Sequence, residues 1–177
     1  MTESKFSIDA EGYAVIGRLL IGLMGLFQVA IFGFLMAGVA MVLCVWVDAL
    51  TGWLARRHCQ KSSSTVALET YADFFCFVIL PMYFAFHGVS GDRYWYVWLV
   101  LPVFLLTGVY RLARFQVEGL VKGKGYVGLP VTYNGYLFPL IGIYTYYFPD
   151  SSNDLLVIFI LGVSYLMVST RFVIPEF

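Results

Sequence analysis

A stretch of 35 residues, Tyr13–Val47, is almost continuously apolar, and it restricts the chain to folds that a lipid bilayer can accommodate. Arg18 and Gln28 carry the only strongly polar side chains in it. A helix needs about 20 apolar residues to cross the hydrocarbon core, so the stretch is too long for one span and just sufficient for two short ones. We therefore expect two membrane helices joined by a tight turn near Gln28 to Gly33, with the second helix continuing to about Arg57.

The rest of the chain is equally apolar. Hydrophobic residues make up 60% and charged residues 12% of the 177 positions, and the mean hydropathy is +0.81, whereas soluble proteins carry about 25% charged residues. The fold class that this composition predicts is an all-α integral membrane protein of one domain, with six transmembrane helices. The remaining four spans are expected at 65–87, 94–114, 131–148 and 155–171, and Pro81 is expected to kink the first of these.

The polar N-terminus is expected to stay outside the hydrocarbon core. Residues 1–12 mix polar and scattered apolar positions and predict a short interfacial segment, with a frayed terminus as an equal alternative, so that the six-helix membrane domain takes up residues 13–177. No basic segment with a short apolar core and a cleavage site precedes the first span, so we expect that span to be retained. Arg18 lies near its start and is expected to snorkel to the interface as a boundary anchor, although from that level it could also help to hold an anionic ligand.

The distribution of basic residues predicts the orientation in the membrane. With six spans, ten of the eleven Lys and Arg residues fall on one side, and Arg93 alone falls on the other. Cytoplasmic loops carry such an excess of positive charge. We therefore expect both termini, the turn at 56–64 and the loop at 111–130 on the cytoplasmic side of the inner membrane. Because topology accounts for the basic residues and the aromatic run at 94–98 suits a membrane interface, no nucleic-acid partner is expected.

Acidic residues recur at helical spacing on both sides of the polar turn at 56–64. Asp48 precedes Arg56 by eight residues, and Asp73 follows Thr65 by eight, so at 1.5 Å per residue both carboxylates lie about 12 Å inside the helix ends. Ionised groups at such a depth are costly, and a cluster of them indicates a functional site that suits a divalent cation with a phosphorylated ligand. Three- and four-residue steps return to one helix face, which groups Asp48, Thr51, Gly52 and Ala55 on the first arm and Thr65, Glu69 and Asp73 on the second.

These positions resemble the signature of the CDP-alcohol phosphatidyltransferase family, D-x2-D-G-x2-A-R-x8-G-x3-D-x3-D. The register is intact without an insertion, and three positions differ, because Thr51 replaces the second Asp, Thr65 the Gly and Glu69 the third Asp. Five positions match, namely Asp48, Gly52, Ala55, Arg56 and Asp73.

Four later segments resemble the phosphatidylserine synthase branch of that family. D-F-F-C-F-V-I-L-P at 73–81 is similar to D-V-V-S-F-G-V-A-P, and R-L-A-R-F-Q at 111–116 is similar to R-x-A-R-F-N. G-Y-V-G-L-P at 125–130 is similar to G-Y-F-x-G-L-P, and L-M-V-S at 166–169 to the branch's closing segment. Cys76 for Ser and Gln116 for Asn are mild departures, and the first span carries no matching motif.

The resemblance implies an activity and a set of roles. It implies transfer of a phosphatidyl group from CDP-diacylglycerol, or a CDP-archaeol-type lipid, to the hydroxyl of L-serine, with release of CMP, by a homodimer that uses Mg²⁺ or Mn²⁺. The implied roles are metal ligands at Asp48, Thr51, Glu69 and Asp73, with Asp73 also the general base; CDP-lipid contacts at Gly52, Ala55, Arg56 and Thr65; and phosphate or serine contacts at Arg111 and Arg114. For the last two, an interfacial role that sets topology is an equal alternative.

Thr51 leaves other functions open, because it removes one negative charge from the expected metal cage. The chain could hold a single metal ion, prefer a different ion, bind CDP-lipid without turnover, or use another alcohol as acceptor. Outside the family, a small transporter whose buried acids carry protons or cations remains an alternative. Three cysteines, Cys44, Cys59 and Cys76, lack the number and spacing of a disulfide framework or zinc site and predict free thiols.

Overall fold

The fold is almost entirely helical. A computed structural model describes residues 10–58, 63–88, 97–118, 126–148, 152–171 and 173–174. A π-helical turn, Phe75–Ile79, joins α3 (Ser63–Phe74) to α4 (Leu80–Gly88) into one continuous rod, and a 3-10 turn, Val131–Tyr133, precedes α6 (Asn134–Tyr147). Two short strands, β1 (Tyr126–Val127) and β2 (Val173–Ile174), pair antiparallel. The helices are α1 (Ala10–Phe32), α2 (Phe34–His58), α3 (Ser63–Phe74), α4 (Leu80–Gly88), α5 (Val97–Glu118), α6 (Asn134–Tyr147) and α7 (Ser152–Val168).

The predicted all-α membrane class is confirmed. In the described part of the chain, four helical segments are long and apolar enough to cross a bilayer, and a fifth apolar helix, Asp154–Val168, is shorter. The number of spans therefore reaches four by this criterion rather than the six expected. Of the expected N-terminal segment, residues 1–9 lie outside the described part, and residues 10–12 belong to α1. The four long segments are Glu11–Phe32, Leu35–Trp53, Ser64–His87 and Trp98–Val117.

The turn between α1 and α2 is a single residue. Gly33 has φ of +86°, a backbone conformation that costs residues with a Cβ atom about 1–2 kcal/mol. This confirms the tight turn expected in the first apolar stretch. The two helices then run back along each other so closely that a Cβ atom added at Gly25 would lie 2.9 Å from that of Ala40. Residues equally distant from Gly33 consequently face each other at equal depth, and Arg18 and Asp48 are both fifteen residues away from it.

The third membrane rod is irregular around Pro81. A proline has no N–H, so in an α-helix the carbonyl four residues earlier, that of Phe77, would lack its donor. The helix adopts the π-helical turn just before this proline, and the Nδ2 atom of Asn134, at the start of α6, donates to the Phe77 carbonyl at 2.8 Å. Asn134 is fully buried. The expected disturbance by Pro81 thus takes the form of a π turn stabilised by a side chain of another helix.

We expect replacement of Asn134 by Leu to lower the free energy of unfolding by about 1–3 kcal/mol, because the buried Phe77 carbonyl would lose its side-chain donor. Thermal unfolding of the purified protein in detergent measures the effect. Thr145→Val is the matched control, since the Thr145 hydroxyl donates at 2.9 Å to Gly142 within its own helix, and its loss should cost less than about 1 kcal/mol. Equal stability of the Asn134 variant and the wild type would contradict this account of the π turn.

The helices pack around the third rod with aromatic side chains and glycines. Phe104 and Phe138 lie with ring centroids 5.1 Å apart, and Phe138 meets Phe159 at 5.4 Å, which ties α5, α6 and α7 together. A Cβ atom at Gly108 would lie only 2.8 Å from Val78. This close approach of α5 to the π turn brings Arg111, one helical turn beyond Gly108, to the same end of the bundle as the acidic residues.

Candidate active site

The three predicted acids border one cavity. It has a volume of about 380 Å³ and lies where α2, α3 and α5 meet the segment around β1 and the 3-10 turn. Asp48 and Thr51 reach it from α2, and Glu69 and Asp73 from the α3 arm. The helical spacing therefore predicted the convergence correctly. The sequence-predicted residues that line the cavity are Asp48, Thr51, Gly52, Glu69, Asp73 and Arg111.

Thr51 occupies the position where the family signature has an acid. Its side chain is almost fully buried, and its hydroxyl donates to the backbone carbonyl of Asp48 at 2.9 Å. With its proton engaged, the hydroxyl has only lone pairs left for a ligand. It can thus contribute a neutral oxygen, but no charge, to the cavity.

Arg18 is part of the acid cluster, contrary to the expectation that it snorkels to the membrane interface. Its side chain is fully buried. One guanidinium nitrogen, Nη1, contacts Asp48, and the other, Nη2, lies 2.9 Å from the Oδ1 atom of Asp73. Nη2 also donates to the Glu69 backbone carbonyl at 3.3 Å. The carboxylates of Asp48 and Asp73 lie at the same depth and compensate for the cost of burying the Arg18 guanidinium. If Arg18 extended to the membrane interface instead, both carboxylates would lose this positively charged partner.

The Arg18 backbone is held by the helices that carry the acids. The thiols of Cys44 and Cys76 donate to its carbonyl oxygen at 3.7 and 3.6 Å, and both cysteines are free, as expected. The guanidinium carbon lies 5.6 Å from the centre of the Phe77 ring, within the range of a cation–π contact. The arginine is therefore fixed at both its main chain and its side chain. Cys59 lies outside the described residues.

The two candidate phosphate-binding arginines occupy different places. Arg111 lines the cavity, its Nε donates to the Leu129 carbonyl at 3.2 Å, and its guanidinium carbon lies 5.7 Å from the Phe115 ring centre. Arg114 is not among the described residues that line the cavity. Its Nη1 donates to the Val168 carbonyl at 3.1 Å, and its Nη2 donates to the Val127 carbonyl. The geometry thus favours Arg111 for contact with a ligand and gives Arg114 a positioning role in the cavity wall.

A glycine turn builds the wall that Arg114 supports. Gly128 has φ of +79°, and a Cβ atom there would lie 2.8 Å from the Met167 carbonyl and 2.9 Å from Nη2 of Arg114. The next residue, Leu129, donates its N–H to the Leu166 carbonyl at 3.0 Å. The G-Y-V-G-L-P and L-M-V-S segments, which resemble the synthase branch at two separate places in the sequence, therefore pack directly against each other. Beside them, Tyr126 of β1 pairs with Ile174 of β2, and both side chains line the cavity.

We expect Gly128→Ala to lower the free energy of unfolding by at least about 2 kcal/mol. The added methyl group would lie 2.8 Å from the Met167 carbonyl and 3.0 Å from the Ser169 carbonyl, and alanine is strained at a positive φ. Gly162→Ala is the control, since nothing lies within 4 Å of a Cβ atom at that position of α7; it should leave stability unchanged or raise it by up to about 1 kcal/mol. Thermal unfolding in detergent separates the two. A Gly128 variant as stable as the Gly162 variant would show that this turn does not need glycine.

The remaining predicted ligand contacts fall outside the cavity or outside the described side chains. Thr65 is fully buried and is not among the described residues that line the cavity. Ala55 and Arg56 lie on α2, but their side chains are outside the described part of the structure. Their roles stay predictions.

Sequence reasoning missed several residues of the site. Arg18 could have been found from its position, since it and Asp48 are equidistant from Gly33, the residue best suited to the turn. Phe115 and Tyr126 lie in two of the segments that resemble the synthase branch, which was a signal for them. Thr132, Tyr133 and Ile174 had no such signal, because their positions depend on contacts between distant segments. The described lining residues that were missed are Leu112, Phe115, Tyr126, Pro130, Val131, Thr132, Tyr133 and Ile174.

The cavity suits a hard cation in its chemistry. Carboxylate and hydroxyl oxygens are the ligands that Mg²⁺ and Mn²⁺ prefer, and the side chains of Asp48 and Asp73 are 31% and 23% exposed. Among the described residues, however, no three His, Cys, Asp or Glu side chains are grouped closely enough to hold a metal ion. A cationic group, Arg18, contacts two of the carboxylates instead. The residues present therefore fit a divalent cation in type, in a cluster that already contains one positive charge.

Fold and site together define an all-α membrane protein with an acid-lined, partly buried cavity at one end of its helices. No family model matches the chain. Several curated proteins are nevertheless similar to it in sequence. The chain is 30% identical over 137 residues, 76% of its length and 56% of the relative's, to the archaetidylserine synthase of Methanothermobacter thermautotrophicus.

Two further relatives carry the name CDP-diacylglycerol–serine O-phosphatidyltransferase. The protein from Methanocaldococcus jannaschii is 29% identical over 89 residues, which is 50% of this chain and 41% of the relative. That from Helicobacter pylori is 26% identical over 155 residues, which is 85% of this chain and 65% of the relative. The chain thus spans less than two thirds of the length of each. Five of the signature positions, Asp48, Thr51, Gly52, Glu69 and Asp73, line the cavity. The similarities to these relatives support the resemblance to the phosphatidylserine synthase branch of the CDP-alcohol phosphatidyltransferase family.

Proposed function

We propose that this protein transfers a phosphatidyl-type group from a CDP-linked lipid to the hydroxyl of L-serine, giving a serine phospholipid and CMP, with Mg²⁺ or Mn²⁺ as cofactor. The observation that carries the proposal is the convergence of Asp48, Glu69, Asp73 and Arg111 on one cavity. The names of the curated relatives support serine as the acceptor and a CDP-lipid as the donor. The lipid would be CDP-diacylglycerol or its archaeol counterpart.

The reaction requires a base and neutralisation of charge. The serine hydroxyl attacks the phosphorus next to the lipid, the bond from that phosphorus to the bridging oxygen breaks, and CMP leaves with the electron pair. Asp73, at the position of the family's general base, accepts the hydroxyl proton. Arg111 pairs with the anionic diphosphate or the serine carboxylate. A divalent cation held by Asp48, Glu69 and Asp73, with Thr51, would neutralise the diphosphate charge, on which phosphoryl transfer mainly depends.

The membrane setting follows from the same proposal. The cavity lies at the end of the bundle where α2 and α5 lead into the basic segments at 56–64 and 119–125. By the positive-inside rule, that end and both termini face the cytoplasm. In this arrangement α6, with the 3-10 turn before it, and α7 supply the fifth and sixth spans. A homodimer, which the family resemblance implies, is part of the proposal.

The acceptor panel is the experiment that tests this function. Purified protein in detergent, with Mn²⁺ and CDP-diacylglycerol or CDP-archaeol, is offered L-serine, glycerol 3-phosphate, inositol phosphate or choline, and CMP release is measured. We expect release with serine and little with the others. Release with a different alcohol alone would keep the reaction class and change the acceptor. Binding of CDP-lipid without release in any mixture would contradict catalysis and favour a non-catalytic relative.

A further inference from the structure

The acid cluster contains a buried positive charge of its own. Arg18 comes from α1, outside the family signature, and its side chain is fully buried while it contacts both Asp48 and Asp73. A guanidinium group does not lose its proton in a protein. Two of the three carboxylates around the cavity therefore share a cation that no change of solution can remove.

The charges around the cavity differ from those of the family pattern. The signature has four acids, which match the charge of two divalent cations. This chain has three acids, because Thr51 is neutral, and Arg18 compensates one of these. Two negative charges remain, which match one divalent cation. Arg111 lines the same cavity and adds further positive charge, which lowers the demand for a second metal ion still more.

Contacts of both its side chain and its main chain fix the position of Arg18. Its Nη2 donates to the Glu69 carbonyl, its guanidinium lies over the Phe77 ring, and the thiols of Cys44 and Cys76 hold its own carbonyl. Withdrawal of the side chain toward the membrane interface would break the contacts with the Glu69 carbonyl and the Phe77 ring as well as both ion pairs. The arginine therefore belongs to the acid cluster rather than to the membrane interface.

On the basis of the proposed function, we propose that the Arg18 guanidinium takes the place of a second metal ion, so that the site binds a single divalent cation. Thr51 and Arg18 are then complementary departures. The neutral hydroxyl takes away a negative charge that a second ion would need, and the guanidinium supplies a positive charge in the place of that ion. The single cation is left to Glu69 and to the parts of Asp48 and Asp73 exposed in the cavity.

Binding of Mn²⁺ to purified protein in detergent tests this proposal. Free Mn²⁺ is measured by electron paramagnetic resonance, with and without CDP-diacylglycerol and in the absence of serine. We expect one Mn²⁺ per wild-type chain. Arg18→Gln should bind Mn²⁺ about tenfold more tightly or take up a second ion, because one positive charge leaves the cluster. Arg171→Gln, which removes an exposed arginine, should match the wild type.

A second variant covers the case that Arg18→Gln does not fold. Thr51→Asp restores the fourth acid while Arg18 stays in place, and we expect tighter binding at an unchanged one ion per chain. Two Mn²⁺ per chain in the wild type or in Thr51→Asp would overturn the proposal, as would unchanged or weaker binding by folded Arg18→Gln. Absence of Mn²⁺ binding would overturn it together with metal dependence, whereas CMP release in the same preparations decides separately whether the transfer reaction occurs.

Discussion

Replacement of Asp73 by Asn should lower serine-dependent CMP release by about 10²- to 10⁴-fold, the range typical of loss of a general base. Asn has nearly the same shape as Asp but cannot accept the hydroxyl proton. It also removes one of the two carboxylates that contact Arg18, so the cavity loses charge as well as its base. Rates with saturating serine and CDP-lipid, measured with the variant confirmed as folded, give the effect.

Asp154→Asn provides the comparison for Asp73→Asn. Asp154 is an exposed acid in the first turn of α7, whereas the other end of that helix adjoins Arg114. Its replacement should leave CMP release unchanged. If Asp73→Asn retained the wild-type rate, Asp73 would not be the base, and another group lining the cavity would have to take the proton.

Replacement of Arg18 by Met should lower the free energy of unfolding by about 2–3 kcal/mol in the absence of divalent cations. Breaking a fully buried ion pair typically costs 3–5 kcal/mol, and the smaller value allows for the exposure of Asp48 and Asp73, at 31% and 23%. Met fills much of the same volume, so the loss reports the charge and its hydrogen bonds. Thermal unfolding in detergent with a chelator measures it.

Added Mn²⁺ should reverse much of this destabilisation. A cation that binds the two partly exposed carboxylates of the Arg18→Met variant stabilises the folded state, by an amount that grows with the logarithm of its concentration relative to its dissociation constant. Arg171→Met, an exposed site, should change neither the stability nor its response to Mn²⁺. Wild-type stability of Arg18→Met in the presence of the chelator would mean that the arginine is not needed to balance the two acids.

Local spacing predicted the parts of the molecule that depend on one or two neighbouring helices. The apolar length of the first stretch and Gly33 predicted the α1–α2 hairpin, and three- and four-residue steps placed Asp48, Glu69 and Asp73 on faces that meet. Each of these features depends on helix geometry alone, so the spacing of residues in the sequence is enough to predict it.

The features that sequence reasoning missed depend on contacts between distant elements. A lone arginine near the end of a span usually snorkels, and only the pairing of α1 with two acid-bearing helices explains why Arg18 is buried. The interaction of Asn134 with the carbonyl freed by Pro81, and of Arg114 with two wall carbonyls, likewise requires the packing of α5, α6 and α7. In each case the partner is a backbone carbonyl or a distant side chain that no local pattern identifies.

Formation of the lipid product tests the central claim most directly. The purified protein is reconstituted in liposomes that contain CDP-diacylglycerol, supplied with isotope-labelled L-serine and Mn²⁺, and analysed by mass spectrometry for labelled lipid and for CMP. We predict labelled phosphatidylserine and CMP in equal amounts, both dependent on serine. Folded protein that forms no labelled lipid from either CDP-diacylglycerol or its archaeol counterpart would contradict the assignment of this acid-lined cavity to serine phospholipid synthesis.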